Sequence, residues 1–133
     1  MNKEKRIIGI DPGFDRCGVA ILEKIEGKER LLYSTCITTS IKDVHEKRLN
    51  KLGTELREII NEWKPKSLAI EKLFFNVNQK TGLKVAEARG VIMYEASLKN
   101  LSVTEYSPQA IKIAVTGYGK ATKPQVESMV VRI

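Results

Sequence analysis

The sequence predicts an α/β fold: one five-stranded mixed sheet, a three-stranded antiparallel meander plus two parallel strands, flanked by helices. Three observations carry this. The first forty residues hold three β-rich runs joined by short turns. After them, helical stripes alternate with two short apolar strands. The length of 133 residues suits one domain around one core, so residues 1–133 are expected to form a single domain.

Each element has its own signal. Arg6 to Ile10 is almost wholly apolar, as a central strand buried on both faces should be. Asp11-Pro12-Gly13 then turns the chain, with Pro12 fixing φ and Gly13 free of a Cβ. Cys17 to Glu23 reads as the second strand, Gly27 and its charged neighbours as a turn, and Arg30 to Thr39 as the third. Asp43 with Glu46 three residues later has a capping-box pattern. From there Leu49, Leu52, Leu56, Ile59, Ile60 and Trp63 recur at helical spacing until Pro65. Ser67 to Glu71 is a short fourth strand. Asn78 to Lys99 reads as a second long helix, with Leu83, Ala86, Ala88, Val91, Ile92 and Leu98 available for packing. Leu101 to Tyr106 is the fifth strand. Ser107-Pro108 opens a further helix, Gly117-Tyr118-Gly119 ends it, and Lys123 to Ile133 begins a last one.

Composition narrows the classes. Lys and Arg number 23 against 16 Asp and Glu, a net charge of +7. That balance suits a polyanionic partner as well as it suits solubility. Cys17 and Cys36 form no close metal-binding pair and read as buried reduced thiols. The single His45 suggests neither a zinc site nor a nucleophile–base pair, and reads as a surface residue. No stretch is long and apolar enough to span a membrane, and MNKEKR leads into a strand without a signal-peptide core. The protein is expected to be soluble and cytoplasmic.

Topology brings two acids together. In a meander, strands one and three run the same way, and a right-handed helical crossover makes strand four parallel to both. Asp11 ends strand one and Glu71 ends strand four, so their carboxylates converge if the strands are neighbours. This edge is where open α/β sheets bind ligands. Such a pair has three explanations: a site for Mg²⁺ or Mn²⁺, which prefer hard oxygen donors, an acid pair sharing a proton, or exposed strand ends without chemistry. The neighbourhood bears on the choice. Phe74 and Phe75 follow Glu71, with Lys72, Lys80 and Lys84 near them, a set that suits base stacking and phosphate contact. Lys112, Lys120 and Lys123 punctuate an acid-free stretch that suits a phosphate-binding loop or a solvated basic face.

IGIDPG followed by CGVAIL, then AIEKLFFNVNQKTGLKVAEARGV, then YSPQAIKIAVTGYGKATKPQVESMV resemble, in order and over nearly the whole chain, the RuvC-type Holliday junction resolvases of bacteria. The resemblance implies a ribonuclease H-like fold and a homodimer that nicks two strands of a four-way DNA junction symmetrically. It implies that Asp11 and Glu71 are the first two catalytic acids and metal ligands. Phe74 matches an aromatic used in junction binding, and Lys112 and Lys123 match basic positions near the DNA. Lys80, Lys84, Arg89 and Lys120 are further expected DNA contacts. Two divalent ions, Mg²⁺ or Mn²⁺, about 4 Å apart would serve phosphodiester hydrolysis, and a branch-migration motor is an implied partner. The family carries two more acids in a C-terminal helix. Here the last acid is Glu127, followed by SMVVRI, so a C-terminally shortened sequence is expected, with a catalytically incomplete junction-binding module as the alternative. An actin-like ATPase fragment shares the Asp-x-Gly turn, but no second phosphate loop accompanies it.

Overall fold

The computed structural model describes residues 6–72 and 79–106. Its elements are β1 (Arg6–Asp11), β2 (Arg16–Ile25), β3 (Lys28–Thr38), α1 (His45–Trp63), β4 (Ser67–Glu71), α2 (Gln79–Leu98) and β5 (Ser102–Tyr106). The helices expected from Ser107 and from Lys123 lie outside the described residues.

The sheet order is β3-β2-β1-β4-β5. β1 pairs antiparallel with β2 and parallel with β4, β2 pairs antiparallel with β3, and β4 pairs parallel with β5. This is the expected meander plus two parallel strands. The β2–β3 hairpin closes on Glu26 and Gly27, both at positive φ. Two left-handed residues give a turn whose twist matches that of the strands.

Alternation assigns the two faces of the sheet. Ile8, Ile10, Cys17, Val19, Ile21, Ile37, Leu68 and Ile70 are buried on one face, in one cluster with Leu52, Leu56, Ile59 and Ile60 of α1 and Ala88, Ile92 and Ala96 of α2. Both helices therefore cover the same face. They lock together through Arg57, which grips buried Glu95 with two bonds of 2.9 and 2.7 Å. At the far end of this face Glu23 is buried between Arg6, at 3.3 Å, and Arg30, at 3.4 Å.

Three expectations change. The N-cap of α1 is Val44 and carries no side-chain cap bond. Asp43 instead closes a turn, its N–H bonding the Ser40 carbonyl at 3.1 Å. Cys36 is exposed while Cys17 is buried, and both are free thiols. The reason is position: β3 is an edge strand, and Cys36 alternates away from the helices. On α2, Leu83 and Leu98 do not pack inward. With Tyr94 they lie on the outer side, 61%, 51% and 59% exposed respectively. No described helix is long and apolar enough to cross a membrane.

Candidate active site

Ile10 of β1 pairs with Ile70 of β4 in parallel register. One step further, both strands end, on Asp11 and on Glu71. Parallel register puts the two acids side by side, and alternation turns both to the face opposite α1 and α2. The row continues outward. Asp11 pairs with Gly18, Gly18 with Cys36, and Glu71 with Tyr106. Cys36, Gly18, Asp11, Glu71 and Tyr106 thus form one line across five strands at the edge where β1 and β4 end.

Gly18 is what leaves room in that line. A Cβ there would stand 3.4 Å from the Cβ of Asp11, nearer than facing side chains on paired strands usually come. On the helix-covered face, next to this row, burial pushes the Cys17 thiol up to about 12, with the charges of Asp11 and Cys36 adding to the effect against a hydrogen bond from Gly13.

The turn after Asp11 is tightly built. A Cβ on Gly13 would collide with the carbonyl of Arg16, so this position admits glycine alone without rearrangement. Phe14 folds inward beside α1 and α2. Its ring lies 4.9 Å from the His45 ring, and the Arg48 guanidinium and the Lys84 ammonium lie 3.9 and 5.5 Å from its centre. His45 in turn meets Glu87 of α2 at 2.9 Å, so it is the surface residue expected, with its side chain 38% exposed, and it also bridges the two helices. Phe14, His45, Arg48, Lys84 and Glu87 line one open cleft.

The expected site residues are distributed as follows. Asp11 and Glu71 are brought together. Lys84 stands on α2 over Phe14. Arg89 is mostly buried and pairs with Glu105 of β5, which ties α2 to the strand beside β4. The side chain of Lys80, and the whole of Phe74, Lys112, Lys120 and Lys123, lie outside the described residues. Sequence reasoning missed Arg48. Its signal was a cation four residues before Leu52, on the stripe that packs inward, where only a satisfied charge is tolerated.

Two carboxylates on one strand edge can bind a hard cation or share a proton. Among the described residues no group of three His, Cys, Asp or Glu is gathered around an ion-sized space.

The family described as Crossover junction endodeoxyribonuclease RuvC matches residues 7–133. The crossover junction endodeoxyribonuclease RuvC of Brachyspira hyodysenteriae is 43% identical over 123 residues, covering 92% of this chain and 77% of that protein. That of Halothermothrix orenii is 44% identical over 124 residues, covering 93% and 75%. Among solved structures, Thermus thermophilus RuvC in complex with Holliday junction substrate superposes with a TM-score of 0.86 at 29% identity, over 95% of this chain and 77% of that one. The yeast mitochondrial Holliday junction resolvase superposes with a TM-score of 0.69 at 13% identity, over 97% and 62%, a likeness of fold.

Proposed function

The chain belongs to the RuvC family of crossover junction endodeoxyribonucleases, and from that premise we propose how its residues divide the family's work. It is an endonuclease that resolves four-way DNA junctions in recombination and repair, by metal-dependent hydrolysis of phosphodiester bonds. All of residues 1–133 are read as one ribonuclease H-like nuclease domain.

Asp11 and Glu71 are the proposed catalytic acids and metal ligands. The observation that carries this is their register: adjacent parallel strands, one step past the Ile10–Ile70 pair, on the same face. The donor set fits the ion. Carboxylate oxygens are the ligands that Mg²⁺ and Mn²⁺ prefer, and Mg²⁺, two ions per site, is the proposed cofactor, with Mn²⁺ as its substitute. When bound, the metal supplies Lewis-acid activation of water and stabilisation of the leaving oxygen. The chain's own part is placement. Asp11 ends the central strand, laddered to β2 on one side and β4 on the other, so its backbone has little freedom to drift. Glu71 has the same support between β1 and β5. Gly18 keeps the space beside Asp11 clear.

The DNA surface is proposed to be basic and aromatic. Phe74 stacks near the scissile step, and Lys80, Lys84, Lys112, Lys120 and Lys123 hold phosphates, in keeping with the charge of +7. Glu105 competes with phosphate for Arg89, so Arg89 contributes little to affinity. Leu83, Tyr94 and Leu98, at one helical face of α2 and exposed, are the proposed homodimer seam, since a helix apolar on two sides seeks two partners. A branch-migration motor is the proposed supplier of junctions, in the cytoplasm.

The test is Asp11→Asn. Junction affinity in chelator should stay within about twofold, because it comes from phosphate contacts, while metal-dependent cleavage disappears. Normal cleavage by Asp11→Asn would overturn the assignment.

A further inference from the structure

One well-connected side chain beside the turn that follows Asp11 is used by no part of the reaction. Arg48 lies on the first turns of α1, and its side chain is only 7% exposed. A guanidinium so buried must be fully engaged. Its Nε donates to the Thr39 hydroxyl at 3.0 Å, and its outer nitrogen pairs with the Asp15 carboxylate. Its plane lies over the Phe14 ring, 3.9 Å from the centroid. Thr39 extends the contact. Its hydroxyl donates to the Phe14 carbonyl at 2.9 Å, and its N–H donates to the Asp15 carbonyl at 3.0 Å. All of these contacts but the Arg48–Thr39 bond end on residues 14 and 15, three and four positions after Asp11.

Resting on the reading of Asp11 as a metal ligand, we propose that Arg48 is a positioning residue for Asp11. With Thr39, it clamps the Pro12–Asp15 turn to α1 and to the end of β3, and so holds the Asp11 carboxylate where metal binding needs it. Among the described residues, the outer end of the turn is held by these bonds and by the packing of the Phe14 ring against His45 and Lys84. Asp11 and Arg16 are tied to the sheet by the β1–β2 ladder. Phe14 and Asp15, by contrast, owe their backbone bonds to Thr39 and their ion pair to Arg48. Carboxylates that bind metal lose affinity when the groups that orient them go, by roughly 10- to 100-fold. A ligand constellation must be held to within about 0.5 Å. A lysine in place of Arg48 keeps the charge but loses the fork that reaches Thr39 and Asp15 together.

The experiment measures Mn²⁺ affinity by electron paramagnetic resonance, on protein without DNA, well below the melting temperature of each variant. Asp11→Asn locates the signal at the site. Arg48→Met and Thr39→Val are expected to weaken Mn²⁺ binding by about tenfold or more, with Arg48→Lys between them and the parent. Junction binding in chelator should stay within twofold. Arg57→Met controls for simple loss of stability. It unpairs Glu95 between the helices without touching the turn, and should leave Mn²⁺ affinity unchanged. Folded Arg48→Met that binds Mn²⁺ as tightly as the parent overturns the proposal, whatever its melting temperature. So does an equal loss in Arg57→Met, which would make the effect one of general stability.

Discussion

Gly18 sits opposite Asp11, and replacing it gives a graded test of how closely the acid is confined. In Gly18→Ala the new methyl would lie 3.4 Å from the Cβ of Asp11, an ordinary van der Waals contact. Gly18 is not at positive φ, so alanine fits the backbone and restricts the unfolded chain, a gain of about 0.4–1 kcal/mol. Gly18→Ala should therefore fold at least as well as the parent and bind metal with little change. Gly18→Val is different. Its two γ carbons enter the space that the Asp11 carboxylate uses, and one must be accommodated by an off-rotamer shift of Asp11. Such a shift costs about 0.5–1.5 kcal/mol, which is roughly two- to tenfold in metal affinity. Cleavage of an end-labelled junction should fall with it, while junction binding in chelator holds. Melting curves, Mn²⁺ titration and cleavage rates of the three proteins read all these quantities. A well-folded Gly18→Val with parental Mn²⁺ affinity and cleavage rate would refute the claim that this row confines Asp11.

Other consequences concern the thiols and the outer helix. Cys36 should react with a thiol reagent at neutral pH in the native protein, and Cys17 only after unfolding, as mass spectrometry of the labelled peptides would show. Cys17 also carries a pH dependence. Its thiol ionises near 9 when unfolded and near 12 when folded, so above pH 9 the unfolded state binds fewer protons. Its contribution is intact below pH 9 and declines as pH rises towards 12, by about 1.4 kcal/mol per unit. Denaturant melts should show the parent losing stability faster than Cys17→Ala between pH 9 and 11. Tyr94→Glu with Leu98→Glu should give monomers by analytical ultracentrifugation without loss of secondary structure; a stable dimer in that double variant would move the seam off α2.

The parts of this fold that were readable from sequence depend on short-range pattern. β-rich apolar runs and tight turns specify β1 to β3, and the helical stripe specifies α1. Once a helix crosses from β3 to β4, chirality leaves few places for β4, and Asp11 and Glu71 follow to the same edge. The missed features depend on what surrounds a residue. Cys36 and Cys17 have similar neighbours in sequence, yet one is on an edge strand facing away from the helices. Asp43 has the chemistry of an N-cap, but Ser40 and Asp43 close their own turn and the helix begins without it. Leu83 and Leu98 fit a helix stripe equally well inward or outward, because α2 is apolar on two sides. Arg48 looks like any surface arginine until Phe14 and Asp15 of one turn and Thr39 beyond the end of β3 are seen to meet it.

On the proposed reading, Asp11 and Glu71, side by side, form the site that cuts four-way junctions. The most direct measurement compares this 133-residue chain with its Glu71→Gln variant on an end-labelled four-way junction, with linear duplex as control, in Mg²⁺ and in chelator. Paired symmetric nicks are expected in the junction alone, only with metal, and at least about a hundredfold slower in Glu71→Gln, a larger loss than removal of a supporting group usually brings. Undiminished nicking by Glu71→Gln would contradict that reading, and selective junction binding with no metal-dependent nicks by the parent would favour the catalytically incomplete junction-binding module.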